Sequence, residues 1–187
     1  VEGKLPTLAH HNLLMSRDWD ADFAAVFDNP GSMQASRSIY VSKPSASDQT
    51  VAPEGCENLF IFIPVASNTS IGHGNAYRQE ESPIVRTIAS AAVRQIAEWA
   101  NIPNLVDRVI IRRTIGPQDF EERYYSWQGG ALGPSHTLTQ SAFFRGKNIS
   151  RRVIGLLYVG GTIAPGVGVP MCLISAENVL TRLGIKP

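Results

Sequence analysis

The sequence feature that most constrains the fold is an apolar, glycine-rich stretch at residues 156–176, LLYVGGTIAPGVGVPMCLISA. Its first four residues are all apolar, which predicts a short strand covered on both faces. Four glycines follow, and they allow the backbone to turn sharply and to lie against a flat ligand. Pro170 suits the first turn of a helix, because it loses no hydrogen bond there. A strand, a turn and a helix N-terminus in this order favour binding of a phosphate or an electron-rich carbonyl.

The same region has the length of a membrane span but not its composition. Residues 153–176 form a run of 24 residues without a charge, and a spanning helix needs about 20 apolar residues. The run contains five glycines and two prolines, however, and a spanning helix must satisfy its own backbone hydrogen bonds. We therefore interpret the region as a buried strand, turn and helix.

Periodicity along the rest of the chain predicts an α+β fold. The predicted strands lie at residues 8–15 (a strand or a loop), 38–42, 58–65 and 104–114. The strands at 38–42 and 58–65 are expected to pair as antiparallel neighbours. The predicted helices lie at 19–27, at 83–100, and from Pro117. In the first of them Trp19, Phe23, Val26 and Phe27 fall at helical spacing and are expected to face the core. The expected architecture is a mixed or antiparallel sheet covered by helices, followed by the strand, turn and helix described above.

Composition and charge exclude several classes of function. With 187 residues, 43% of them hydrophobic, the chain can bury a proper core. With 17 basic and 16 acidic residues, the chain has no broad positive electrostatic field that would attract nucleic acid. Cys56 and Cys172 are in no metal-binding spacing, so we expect reduced thiols in a cytosolic protein.

The sequence contains no recognisable catalytic or metal-binding pattern. His10 and His11 are adjacent, so on a strand they would point to opposite faces and would not share a metal ion. No G-x-S-x-G sequence marks a nucleophile. Asp119, Glu121 and Glu122 are expected to form the solvated face of a helix rather than an acid/base pair. We therefore predict no metal and assign no catalytic residue.

Three stretches carry a resemblance to a known family. They are YVGGTIAPGVGVPMCLISAE from Tyr158, SAFFR eleven residues before the predicted strand, and VAPEGCENLFIFIPV from Val51. Through these three stretches the chain resembles the C-terminal half of bacterial phytoene desaturases, which are FAD-dependent carotenoid desaturases. The resemblance implies a two-domain flavoprotein, with residues 1–128 as a substrate-binding region and 129–187 as a flavin-facing segment. The sequence lacks the G-x-G-x-x-G turn that holds the adenylate half of FAD, so we expect the N-terminal dinucleotide-binding part to be absent.

The resemblance also implies which residues contact the cofactor. The flavin of such enzymes takes a hydride equivalent from a C40 polyene precursor, so the protein need only orient the reactants and exclude water. Gly160, Gly161 and Thr162 would approach the ribityl chain and the pyrophosphate of FAD. The helix start at Gly168, Val169, Pro170 and Met171 would lie beside the flavin ring. Many relatives have His-Pro-Gly after the threonine, whereas Ile163 and Ala164 stand here before Pro165 and Gly166.

A polyene offers no polar group, so its recognition would depend on apolar area and shape. The candidate lining residues are Leu59, Phe60, Phe62, Tyr124, Trp127, Phe143 and Phe144. For each of them, packing in the protein core is the alternative. We also expect cytoplasmic localisation with peripheral attachment to a membrane surface, through an apolar rim and the dibasic pairs at 112–113 and 151–152.

The leading functional hypothesis is therefore a phytoene desaturase, represented by a C-terminal fragment that would be inactive alone. A related carotenoid oxygenase, isomerase or saturase would share the flavin-binding residues. A non-catalytic module for apolar ligands, or one subunit of a split enzyme, is the alternative outside these classes. The expected partners are the polyene, a membrane surface, and either a second copy of the chain or a separate N-terminal half.

Overall fold

The computed structural model describes residues 1–29, 31, 33–77, 80–135, 137–141 and 144–185. The chain forms two compact units, Val1–Gly129 and Gly130–Pro187. The sequence-based division at residue 128 also assigns a role to each part, and those roles remain predictions.

The first unit contains a three-stranded antiparallel sheet in the order β1-β2-β3. Its strands are β1 (His11–Leu14), β2 (Ile39–Ser42) and β3 (Phe60–Phe62). Tyr40 in the central strand pairs with Leu13 on one side and with Phe62 on the other. The expected antiparallel pairing of the second and third strands is confirmed, and the chain around residue 11 is a strand.

One face of this sheet packs on the helix α2 (Pro83–Trp99), which forms where its apolar period predicted it. Leu14, Ile39 and Val41 from the sheet are buried in one cluster with Ala92 and Ile96 from α2. Burial of each large side chain stabilises the fold by about 1.5–3 kcal/mol. The α+β class is therefore confirmed, with the core of the first unit between sheet and helix.

The helix α1 (Trp19–Phe23) continues into a wider π-turn at Ala24–Asp28, and its aromatic stripe does not face the core. Trp19, Phe23 and Phe27 are 47–59% exposed and stack on one another. The expected core-facing stripe is wrong for its three aromatic members, while Val26 is half-buried. Asp22 points inward instead, because its carboxylate accepts hydrogen bonds from the backbone N–H groups of Arg37 and Ser38.

The strand expected at 104–114 is also absent from the part of the chain that the structure describes. Asn104 has a left-handed backbone, and a series of turns follows it. Among the described residues of this stretch no strand ladder forms. The Asn75 side chain accepts a hydrogen bond from the Thr114 N–H and donates one to the Arg112 carbonyl. A side-chain amide therefore satisfies backbone groups that a neighbouring strand would otherwise satisfy.

The helix α3 (Pro117–Tyr124) begins at the expected proline, but one acidic residue on it is not solvated. Asp119 is buried, and its Oδ2 accepts the N–H groups of Gly74 and Gly116 at 2.7 and 2.8 Å. Glu121 and Glu122 are exposed, as expected. The solvated acidic face is thus correct for two of its three members, and Asp119 ties the start of α3 to a neighbouring loop.

The second unit contains the helix α4 (Val169–Arg182), which begins one residue before Pro170. The strand expected at 156–159 does not form: Leu157 makes only an isolated bridge with Ile149, and Leu156, Tyr158 and Val159 are exposed. An apolar run becomes a buried strand only when other strands flank it, and among the described residues only the segment at 148–150 pairs with it.

Candidate functional site

The turn between residues 160 and 168 has a backbone that only glycine adopts readily. Gly160, Gly166 and Gly168 have φ angles of 123°, 146° and 122°, a region that side chains disfavour. A Cβ at Gly160 would meet nothing within 4 Å, so this side of the turn is open to a ligand. Gly161 does not have a positive φ, and its Cβ position lies 3.3 Å from Val167 Cα. The two limbs of the turn, residues 160–162 and 166–168, are therefore close together at Gly161.

A buried polar pair fixes this turn to α4. Ser175 is fully buried on the helix, and its Oγ lies 3.1 Å from the Gly160 nitrogen and 2.9 Å from Asn148 Nδ2. Asn148 Nδ2 also lies within 3.2 Å of the carbonyl oxygens of Tyr158 and Ala164. The sequence interpretation missed both residues, although a serine inside the apolar run MCLISA was a visible signal.

Arg145 lies under the turn and is 97% buried, with a relative exposure of 3%. Its Nη2 donates to the Gly161 carbonyl at 2.6 Å, and its Nε lies 3.8 Å from the position that a Cβ on Gly166 would occupy. Nε and Nη1 have no hydrogen-bond partner among the described residues, and neither has Ser141 Oγ. The sequence interpretation did not single out Arg145, although it ends the quoted SAFFR stretch.

The N-terminus of α4 lies at the end of the same turn. Gly168 is the N-cap, makes no side-chain cap, and no acidic residue occupies the first helical turn. The free N–H groups and the positive end of the helix dipole are therefore available to a ligand. The structure thus brings together, within one unit, all seven residues proposed to contact the cofactor, from Gly160, Gly161 and Thr162 to Gly168, Val169, Pro170 and Met171.

Two of the candidate substrate-lining residues share the open face of the sheet. Phe60 and Phe62 are 58% and 39% exposed, beside Leu13 and Tyr40 on the same face. This apolar face is opposite to the one that packs on α2. Leu59, in contrast, is half-buried against the core cluster, so it follows the alternative of core packing.

The remaining lining candidates lie elsewhere. Tyr124 is exposed near the end of α3 with its ring 6.0 Å from that of Phe120, and Trp127 is 79% exposed in the turn that follows. Phe144 is exposed in the second unit, and Phe143 lies outside the described residues. The described aromatic candidates are therefore surface residues and not core residues, while their role in substrate binding stays a prediction.

No three His, Cys, Asp or Glu side chains in the described ranges come together as a metal site. No helix in those ranges is long and apolar enough to cross a membrane. The rings of His10 and His11 are tilted with their centroids 4.3 Å apart, so the expectation that they point to opposite faces is wrong. Each Nδ1 nevertheless has its own hydroxyl partner, from Ser47 and Tyr40 respectively.

Comparison with known proteins identifies the relatives of the chain. No protein-family model matches it. A protein named carotenoid 3,4-desaturase from Haloarcula japonica is 38% identical over 98% of the chain and 35% of its own length. A 4,4'-diapophytoene desaturase (4,4'-diaponeurosporene-forming) from Staphylococcus aureus is 28% identical over 92% of the chain and 34% of its own length. The chain is therefore similar to these two desaturases over nearly its whole length and spans about a third of theirs.

Proposed function

We propose that this chain is the flavin-facing and substrate-facing part of an FAD-dependent carotenoid desaturase, an oxidoreductase that introduces double bonds into a C40 polyene. The observation that carries the proposal is the similarity over 98% of the chain to a protein named carotenoid 3,4-desaturase. The geometry of the turn at residues 160–168 and the open apolar face of the sheet support it independently.

The residues of the turn fit a flavin dinucleotide. The open Cβ position of Gly160 leaves room for a ligand to lie directly on the backbone. Gly161 and Thr162 follow it, and the uncapped helix start at Gly168 and Val169 offers N–H groups to an electron-rich ring or a phosphate. We propose that this turn and the first turn of α4 complete the FAD domain of a two-domain flavoprotein.

FAD, when bound, would supply the acceptor for a hydride from an allylic C–H of the substrate, and the neighbouring carbon would lose a proton, which leaves the new double bond. The task of this chain is then to hold the flavin ring against the substrate and to exclude water. Gly168, Val169, Pro170 and Met171 would set the edge of the ring, and the buried contact of Ser175 with the Gly160 nitrogen keeps the turn in its position. Rigid placement of this kind lowers the barrier by orientation rather than by acid/base chemistry.

The open face of the sheet is the surface that we assign to the polyene. Phe60 and Phe62 expose aromatic area beside Leu13 and Tyr40, with no charged side chain on these four positions. Aromatic side chains contribute large apolar contact area, which suits a substrate without polar groups. Tyr124 and Trp127 in the first unit, and Phe144 in the second, remain separate candidates for contact with the polyene.

Desaturation at the 3,4 bond is the second candidate within this class. The relative with the higher identity has that activity in its name, whereas the 28% identical relative is named for the desaturation of diapophytoene. Both names describe desaturases, and neither describes an oxygenase, an isomerase or a saturase. We therefore favour desaturation of phytoene or of a related carotenoid.

The proposal is tested first by the flavin content of a chimaera. In it, this chain replaces the corresponding third of the Haloarcula japonica protein, and the purified product is examined for the visible absorption of oxidised flavin. We expect stoichiometric flavin in the chimaera. The parent protein, examined in the same way, is the control. A folded chimaera that contains no flavin would contradict the proposed cofactor.

A further inference from the structure

Arg145 is a buried charge whose hydrogen-bonding capacity is only partly used. A guanidinium carries five N–H donors and stays protonated at any ordinary pH. Among the described residues only Nη2 has a partner, the Gly161 carbonyl at 2.6 Å. A neutral carbonyl satisfies one donor but does not balance the charge. Because a buried charge is costly unless it is paired, this environment favours an additional, anionic partner.

The unit that contains Arg145 supplies almost no anion of its own. The stretch Gly130–Pro187 has six lysines and arginines but a single acidic residue, Glu177, although the whole chain is nearly neutral. Glu177 is exposed on α4. No acidic side chain among the described residues forms an ion pair with Arg145. Among the described residues, therefore, no side chain serves as the counter-ion of Arg145.

Two further features at the same turn favour an anion. The Arg145 side chain passes close to both limbs, with Nη2 at the Gly161 carbonyl and Nε 3.8 Å from the Cβ position of Gly166. The turn ends at Gly168, the uncapped N-terminus of the 14-residue helix α4. The positive end of a helix dipole and a buried guanidinium both attract phosphate oxygens.

We propose that Arg145 binds a phosphate oxygen of the dinucleotide cofactor through its free N–H groups, while its Nη2 holds the Gly161 carbonyl and so fixes the turn. This assignment rests on the proposed function for the identity of the cofactor. The anion site itself rests only on the burial, the unpartnered donors and the local charge described above.

The test uses the 187-residue chain and three probes: inorganic pyrophosphate, FAD, and riboflavin, which has no phosphate. Thermal unfolding is followed at rising concentration of each probe. We expect pyrophosphate to raise the unfolding midpoint in a saturable way, FAD to do so with an affinity weaker than micromolar, and riboflavin to have no effect. Arg145→Gln should raise the dissociation constant for pyrophosphate by about thirtyfold or more, because it removes the charged partner.

Arg151→Gln is the matched control, since Arg151 is exposed in the same unit, and it should leave pyrophosphate binding within about twofold of the unchanged chain. If Arg145→Gln does not fold, Arg145→Lys replaces it, and the loss of the planar fork should still weaken binding. Saturable binding of pyrophosphate that is lost with Arg145 and absent for FAD supports the anion site and overturns the assignment of Arg145 to a phosphate of the dinucleotide. Pyrophosphate binding that survives Arg145→Gln, or that never occurs, overturns the role of Arg145.

Discussion

Ser175 on α4 accepts a hydrogen bond from the backbone N–H of Gly160, fifteen residues earlier, at 3.1 Å. This contact joins the first glycine of the turn to the helix that follows it, and Ser175 is fully buried. The glycine-rich turn is thus not a free loop. Its shape is fixed by the side chain of Ser175, a polar residue within an otherwise apolar stretch of the helix.

We predict that Ser175→Ala destabilises the second unit by about 1–3 kcal/mol, because it removes the acceptor of the half-buried Gly160 N–H and one of the three acceptors of the buried Asn148 amide. Urea denaturation of the two variants measures the change in the free energy of unfolding. Thr181→Ala, at an exposed position of the same helix, is the matched control. Equal stability of the Ser175 and Thr181 variants would show that the buried contact contributes little.

A second prediction concerns Gly161. In the chimaera, Gly161→Val should abolish flavin retention, because its side chain would enter the space between the limbs of the turn, where Val167 Cα is 3.3 Å from the new Cβ. The reason is crowding and not backbone strain, since the positive φ lies at Gly160. Flavin absorbance per protein measures the effect, and an unchanged thermal transition of the first unit is the control. A variant that keeps its flavin would place the cofactor on another loop.

The first unit should lose stability in acid. Burial by itself raises the pKa of Asp22, but hydrogen bonds from the Ser38 hydroxyl and the Arg37 N–H outweigh it and hold the pKa below its usual value. The folded state therefore binds fewer protons than the unfolded state. The stabilisation is complete above the unfolded pKa of about 4 and is lost as the pH falls through the folded pKa.

The variant Asp22→Asn tests this pH dependence. We expect it to be less stable than the unchanged chain at neutral pH and to show a smaller loss between about pH 5 and pH 2. Asp20→Asn, at an exposed position of the same helix, is the control and should behave like the unchanged chain. An acid profile that is the same with and without the Asp22 carboxylate would mean that other groups control it.

Local signals predicted the elements that local physics determines. The 3.6-residue apolar period and the prolines located α2 and α4, and two apolar runs bounded by turns located β2 and β3. The prediction of a strand at 156–159 was wrong because a strand forms only where neighbouring strands pair with it. An apolar run does not show whether such strands are present. The buried face of α1 is determined by Asp22, which accepts a hydrogen bond from the backbone N–H of Arg37, fifteen residues later in the sequence.

The candidate site shows the same limit. Its glycines and its helix start were visible in the sequence, since φ preference and helix caps are local properties. Arg145 was not, because arginine is usually exposed and nothing in SAFFR indicates that this one is buried. Asn148 was missed for the same reason: its three acceptors come from residues ten to twenty-seven positions away.

Peripheral attachment to a membrane is a further prediction, and the structure suggests where to test it. Val153 and Ile154 are exposed apolar residues directly after the exposed pair Arg151 and Arg152. Arg112, from the other dibasic pair, is half-buried and pairs with Glu81 at 2.8 Å, so it contributes little. An apolar group beside basic residues is suited to the surface of an anionic bilayer.

Flotation with anionic liposomes at low and high salt measures this attachment. We expect the chain to float at both salt concentrations, because apolar contact is not screened by salt. Ile154→Ser should reduce flotation at both, whereas the double change Arg151→Gln and Arg152→Gln should reduce it only at low salt. A chain that never floats contradicts attachment, and one that floats only at low salt contradicts the apolar contribution.

The most direct measurement of the proposed function is the carotenoid product of the chimaera, expressed in cells that supply phytoene or a related polyene. Chromatography with absorption spectra distinguishes products by the length of their conjugated system. We predict a product with at least one additional conjugated double bond, which absorbs at longer wavelength than the polyene supplied. A chimaera that folds, retains flavin and returns the polyene unchanged would contradict a desaturase function for this chain.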